Sequence, residues 1–190
     1  MASFTSPSTR ASGYKVTAAN WNELVNDLIF LGSGTASAGR PSVMATSTST
    51  ASLTQNTWIG AIAFDGADEW DTASMHDPST NNSRLTCPTD GAGLYEVAAE
   101  LYADAHNQFE AVHIMVRKNS AGSSTGGTFV SQSTEPFSTN GVVPTGIQIQ
   151  TLVRLAVGDY VEVFVLSEAS GEALIGTTIP HRFGMIWQTA

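Results

Sequence analysis

Two groups of residues have side chains able to do chemistry. Asp65, Asp68, Glu69 and Asp71 form an acidic run whose oxygens suit a hard cation such as calcium. Trp70 stands within that run, so a sugar ring could stack on the indole beside the carboxylates of Asp65, Asp68 and Asp71. The spacing is not that of an EF-hand loop, and a solvated acidic loop explains it more simply. The four histidines, His76, His106, His113 and His181, are scattered, with no serine or cysteine placed beside one as a nucleophile. Serine is abundant, yet no Gly-x-Ser-x-Gly elbow occurs. Glu96 and Glu100 lie on one face of a strand, where a solvated or interface face accounts for them better than the opposed carboxylates of glycoside hydrolysis. No catalytic residue, cofactor or metal is assigned, and the expectation is that the chain is not an enzyme.

The elements that carry these residues are strands. On 95–103, Tyr95, Val97, Ala99 and Leu101 alternate with Glu96, Ala98 and Glu100, the period-2 pattern of a sheet with one buried face. Similar alternation marks 109–118, 128–133, 146–155, 160–166 and 183–187, with shorter runs at 58–64 and 83–87. Asp65-Gly66, Asp90-Gly91 and Gly158-Asp159 supply turns between them. About eight strands predict an all-β antiparallel sandwich of jelly-roll type over residues 53–190.

Ahead of the sandwich the pattern changes. Trp21, Leu24, Val25, Leu28 and Ile29 recur every three or four residues, which predicts an amphipathic helix between Thr17 as N-cap and Gly32 as C-cap. Four turns are too few to be stable alone, so the stripe must dock on something. Residues 33–52 are rich in Ser, Thr, Ala and Gly and read as an extended linker. The expected division is thus an arm with an anchoring helix (1–32), a linker (33–52) and a sandwich (53–190).

A formal charge of −9 over 190 residues, with no basic patch, argues against nucleic-acid and anionic-membrane partners. Cys87 is the single cysteine, so no intrachain disulfide forms, and a buried thiol is expected there. No apolar stretch matches a signal-peptide core or a membrane span, which fits assembly in a reducing cytoplasm.

Three pieces of the sandwich, Gly93-Leu94-Tyr95, Leu155-Ala156-Val157-Gly158-Asp159-Tyr160-Val161 and Phe183-Gly184-Met185-Ile186, together with Arg117-Lys118-Asn119, resemble the C1q/TNF-like jelly rolls. That resemblance implies a homotrimer, with Glu96, Ala98, Gln148 and Arg182 facing the three-fold axis. Those residues are polar or small where the family carries large apolar or aromatic groups, and a Glu96–Arg182 ion pair between subunits is the corresponding expectation.

The segment Val16-Thr17-Ala18-Ala19-Asn20-Trp21-Asn22 resembles the openings of structural proteins of tailed bacteriophages. Helix, linker and head together imply a trimeric capsid decoration or head/tail fibre protein on the virion surface, made in the host cytoplasm and docked on major capsid or tail proteins. The alternative is a receptor-binding tail module that recognises a host surface glycan.

Overall fold

The computed structural model describes residues 40–104, 110–137, 144–171, 173–175 and 179–189. In chain order the strands are β1 (Ser42–Ser47), β2 (Thr50–Ser52), β3 (Trp70–Asp71), β4 (Leu85–Thr86), β5 (Gly93–Ala103), β6 (Ala111–Lys118), β7 (Thr128–Pro136), β8 (Thr145–Leu155), β9 (Tyr160–Ser167), β10 (Ala173–Ile175) and β11 (His181–Thr189). They form two sheets, and every pair of these strands is antiparallel. In the larger sheet β5 lies between β8 and β11, β1 follows β11, β3 follows β1, and β10 connects β2 to the end of β5. The smaller sheet runs β4-β9-β6-β7. The anchoring helix assigned to Trp21, Leu24, Val25, Leu28 and Ile29 lies outside the described residues.

Alternation decides what each face does. Tyr95, Val97, Ala99, Leu101 and Ala103 of β5 point inward and are buried, as are Ile147 and Ile149 of β8 and Phe183 and Met185 of β11. Val112, Ile114 and Val116 of β6 and Val161, Val163 and Val165 of β9 meet them from the other sheet. This is the sandwich expected from the period-2 pattern, with its core between two inward faces.

The linker expectation needs correction at its C-terminal end. Residues 42–52 are not an extended tether: β1 is paired along its whole length with β11, from Ser42 opposite Ile186 to Ser47 opposite His181, and Val43 and Ala45 are 0% exposed. Small residues suffice there because the inner layer is already filled by Phe64 and Phe183, whose rings lie 5.2 Å apart. The sandwich therefore starts near residue 41. A second correction concerns 58–64, which is not a regular strand. It follows β9 irregularly, with Ile59 N–H donating to Val165 O (2.8 Å) and Ile62 N–H to Val163 O (2.9 Å), and it buries Ile62 and Phe64 over the end of the core.

Gly93 opens β5 where the backbone of β11 comes close. A Cβ at Gly93 would lie 2.3 Å from Thr189 O and 2.5 Å from Trp187 Nε1, next to the register shift between Trp187 and Thr189. Gly93→Ala should therefore lower stability by about 2 kcal/mol through forced overpacking. Thermal melts of the two proteins check this, and equal melting temperatures would show that the β11 end yields freely.

Candidate functional site

The even-numbered residues of β5, β8, β11, β1 and β3 share the outer face of the larger sheet, and the strand register sets them in rows. Gln148, Glu100, Arg182 and Thr46 form one row. Gln150, Ala98, Gly184, Met44 and Trp70 form the next, and Leu152, Glu96, Ile186 and Ser42 the third. The middle row is shallow, because Ala98 and Gly184 are small while their neighbours are long. The result is a groove of about 450 Å³ lined by Met44, Ala98, Glu100, Gln148, Gln150 and Arg182. Met44 lies across Gly184, where an added Cβ would sit 2.8 Å from Met44 Cε.

Polar side chains on this face satisfy one another. Glu100 Oε1 accepts from Gln148 Nε2 (2.6 Å) and from the Tyr102 hydroxyl (2.7 Å), and its other oxygen lies 3.8 Å from Arg182. Arg182 Nε also donates to Glu69 Oε1 at 2.9 Å, and the Glu69 carboxylate strengthens the hold of the guanidinium on its proton. Glu96 accepts from Gln150 and, at 2.9 Å, from Gln188. Three of the four residues assigned to an axis, Ala98, Gln148 and Arg182, thus line one groove, with Glu96 one row beyond it. Within one chain Glu96 and Arg182 each have other partners, and Arg182 lies opposite Glu100. Around this network Leu152, Trp70 and Ile186 stay exposed at 58%, 40% and 39%.

Sequence reading did not place Met44, Gln150 or Gly184 on this surface. Met44 was hidden by assigning β1 to a linker; Gln150 and Gly184 follow from parity alone once the register is known.

The acidic run does not converge. Asp65 accepts from the Ser49 and Ser47 hydroxyls, which draw its carboxyl below the usual range, Ser49 the more strongly. Asp68 bonds His76 Nδ1 at 2.7 Å, Glu69 holds Arg182, and Asp71 accepts the backbone N–H groups of Ala73, Met75 and His76 at 3.0–3.1 Å. Each carboxylate thus fastens a different part of the 65–76 loop, and no group of three or more metal-ligating side chains occurs among the described residues. Trp70 remains as an exposed ring on the edge strand β3.

The remaining reactive side chains have structural settings. His76 is buried on Asp68, and His113 Nε2 lies 3.1 Å from Glu168 Oε1 with Nδ1 2.8 Å from the Thr134 hydroxyl. His181 opens β11 pointing inward and is 1% exposed. His106 lies outside the described residues. Cys87 is buried, and that burial pushes its thiol pKa up, away from a nucleophilic thiolate.

The Gly158 turn that joins β8 to β9 is built as its residues suggest. Gly158 has φ of 80°, and Asp159 Oδ2 accepts Ala156 N–H at 2.7 Å. Partial burial alone would raise the Asp159 pKa, but Lys118 at 2.6 Å, Asn119 at 2.7 Å and the Ala156 N–H outweigh it and bring the carboxyl down to about 2.

No protein-family model and no curated protein matches this sequence. Among solved structures, the chain is similar to the globular domain of zebrafish complement 1qA protein, at 11% identity and a TM-score of 0.51, over 80% of this chain and 100% of that one. It is also similar to the crystal structures of murine APRIL at pH 8.0 (9% identity, TM-score 0.54) and at pH 5.0 (7%, 0.51), each over 78% of this chain and 99% of that one. At such identities the likeness is one of fold: a C1q/TNF-like jelly roll.

Proposed function

We propose that this chain is a structural protein of a tailed-phage virion, a homotrimer that stands on major capsid or tail proteins by its N-terminal arm and displays the jelly roll on the particle surface. The observation that carries the trimer is the outer face of the larger sheet. It combines a groove floored by Ala98 and walled by Met44, a satisfied polar network and exposed Leu152, Ile186 and Trp70, a mixture suited to contact with another protein surface. The virion setting rests on the resemblance carried by residues 16–22. The charge of −9 keeps nucleic acid out of the partner set.

Sedimentation of the purified protein tests the assembly. A particle three times the 20.0 kDa chain is expected at micromolar concentration. Ala98→Glu should weaken assembly at least about 100-fold, because three like charges would meet beside Glu96 and Glu100. The monomer should still fold, since the Ala98 side chain points out of the core. A wild-type protein that sediments as a single chain at about 50 μM would end the trimer reading.

Glycan recognition remains the second reading on one observation, the exposed ring of Trp70. It has lost the support of the nearby carboxylates, which are engaged within the loop. A fragment spanning 40–190 that binds host cells would favour it.

A further inference from the structure

His181 stands at the end of the sandwich where β2, β10 and the 59–63 segment meet. Its Nδ1 accepts the Tyr102 backbone N–H at 3.2 Å, so the neutral ring carries its one proton on Nε2. Nε2 has essentially no accessible surface and no hydrogen-bond partner among the described residues. A second proton has only Nδ1 to go to, where a ring N–H would then face the Tyr102 N–H, donor against donor. Burial, too, disfavours the charged ring and holds its pKa below the ordinary histidine value. No neighbouring charge offsets this. β1, β2, β10 and the 59–63 segment carry no titratable side chain, and Ser47, opposite His181 on β1, gives its hydroxyl to Asp65. Glu100, Tyr102 and Arg182 turn their side chains to the outer face, and Asp104 follows the end of β5.

The elements around His181 are the most lightly held of the sandwich. β2 and β10 have three residues each, and β10 meets β5 at the single pair Leu174–Ala103. The 59–63 segment hangs on β9 by the N–H groups of Ile59 and Ile62, and a cavity of about 190 Å³ already separates it from β2 and β10. Such short elements open at less cost than the whole domain unfolds. With neither solvent nor an acceptor at the ring, the imidazolium is hydrated only when this corner parts. We propose that His181 is an acid-sensitive latch, whose protonation drives the β2–β10 corner from closed to open and uncovers Ile62 and Leu174. The sign follows from linkage: the open state takes up the proton as pH falls through about 6.5, while the closed state resists it. The latch is therefore shut above that pH and loosens below it. It is independent of the trimer and of the virion reading, since it lies on the inner side of β11.

Amide hydrogen exchange on the full chain tests the latch. The Asp104 N–H, bonded to Ala173 O, and the Ile62 N–H, bonded to Val163 O, report the corner. Val97, in the doubly paired middle of β5, reports the whole fold. The corner amides should be less protected than Val97, and their protection, corrected for intrinsic exchange, should fall about tenfold between pH 7.5 and 5.5. In His181→Leu, which cannot take up the proton, corner protection should stay constant over that range. If the variant does not fold, the wild-type ring decides, because its nitrogen resonances should remain those of the neutral form in the closed state at pH 5.5 while Asp104 protection falls. Corner amides as protected as Val97, protection that ignores pH, the same tenfold fall in His181→Leu, or a ring that titrates near pH 6.5 within the closed state would each overturn the proposal.

Discussion

Glu162→Gln should lower the melting temperature by about 10 °C, the equivalent of about 3 kcal/mol. Glu162 stands on the side of β9 away from the core, yet it is 1% exposed, because the 119–127 loop and the 83–84 segment close over it. Oε1 accepts from the Ser83 hydroxyl at 3.0 Å and Arg84 Nε at 3.1 Å; Oε2 accepts from the Ser120 hydroxyl and from Gly122 N–H at 3.0 Å. Arg84 is held in turn over the Tyr160 ring, 4.2 Å from its centroid. An amide in place of the carboxylate turns one of the two acceptors into a donor facing donors, and it leaves the Arg84 charge unpaired. Burial by itself would raise the Glu162 pKa, but bonds from Ser120, Gly122, Arg84 and Ser83 outweigh it and hold the carboxyl below its ordinary value. Since the folded-state pKa is the lower one, its contribution is complete above the unfolded-state value of about 4.3 and is lost as pH falls from there through the native value. Wild-type melting temperature should therefore drop below about pH 4.5, and the variant should lack that part of the slope. The residual slope belongs to groups such as Asp159, whose native value of about 2 places its loss at more acid pH. A change of less than about 2 °C together with an unchanged pH slope would mean the loop is held by something else.

Legibility in the sequence followed the length of the alternation. β5, β8 and β9 show their two faces over eight to eleven residues, and their inward sets, such as Tyr95 to Leu101 and Val161 to Val165, are the ones that parity selects. β1 was illegible for a physical reason: in Ser42–Ser47 the inward residues are Val43, Ala45 and Ser47, too small and too mixed with Ser and Thr for composition to separate them from a tether. Only the pairing with β11 reveals their place. The acidic run misled in the opposite way, since nearness along the chain suggested one site while hydrogen bonding sends each carboxylate to a different partner. Glu162 gave no signal at all, because Ser83 and Arg84 stand 79 and 78 residues away and Ser120 42. On the outer groove, Ala98, Gln148 and Arg182 came from family resemblance, whereas Met44 and Gln150 needed the register.

Deleting residues 1–52 should abolish cooperative unfolding, whereas deleting 1–39 should leave the melting temperature within about 2 °C of the full chain. The longer deletion removes β1 and β2. It strips β11 of its β1 partner from His181 to Ile186 while leaving the β5 side paired, exposes the core beside Phe64 and Phe183 where Val43 and Ala45 had been, and takes Ser47 and Ser49 from Asp65. Losing a six-residue ladder and a filled strip of core approaches the whole stability of an ordinary domain, about 5–15 kcal/mol, and leaves a bare sheet edge open to aggregation. The shorter deletion spares the residues that tie β1 in place: Thr72 Oγ1 donates to Arg40 O at 3.3 Å, and Trp187 N–H to Pro41 O at 2.9 Å. A folded 53–190 fragment melting like the full chain, or an unfolded 40–190 fragment, would refute the placement of β1. The distinction also governs the test of anchoring, because loss of incorporation after the longer cut would report only a broken sandwich. With the 40–190 fragment, an intact trimer that no longer joins particles is the expected result. Incorporation at the wild-type level would remove the arm as the anchor and leave the jelly roll itself as the surface that meets the virion.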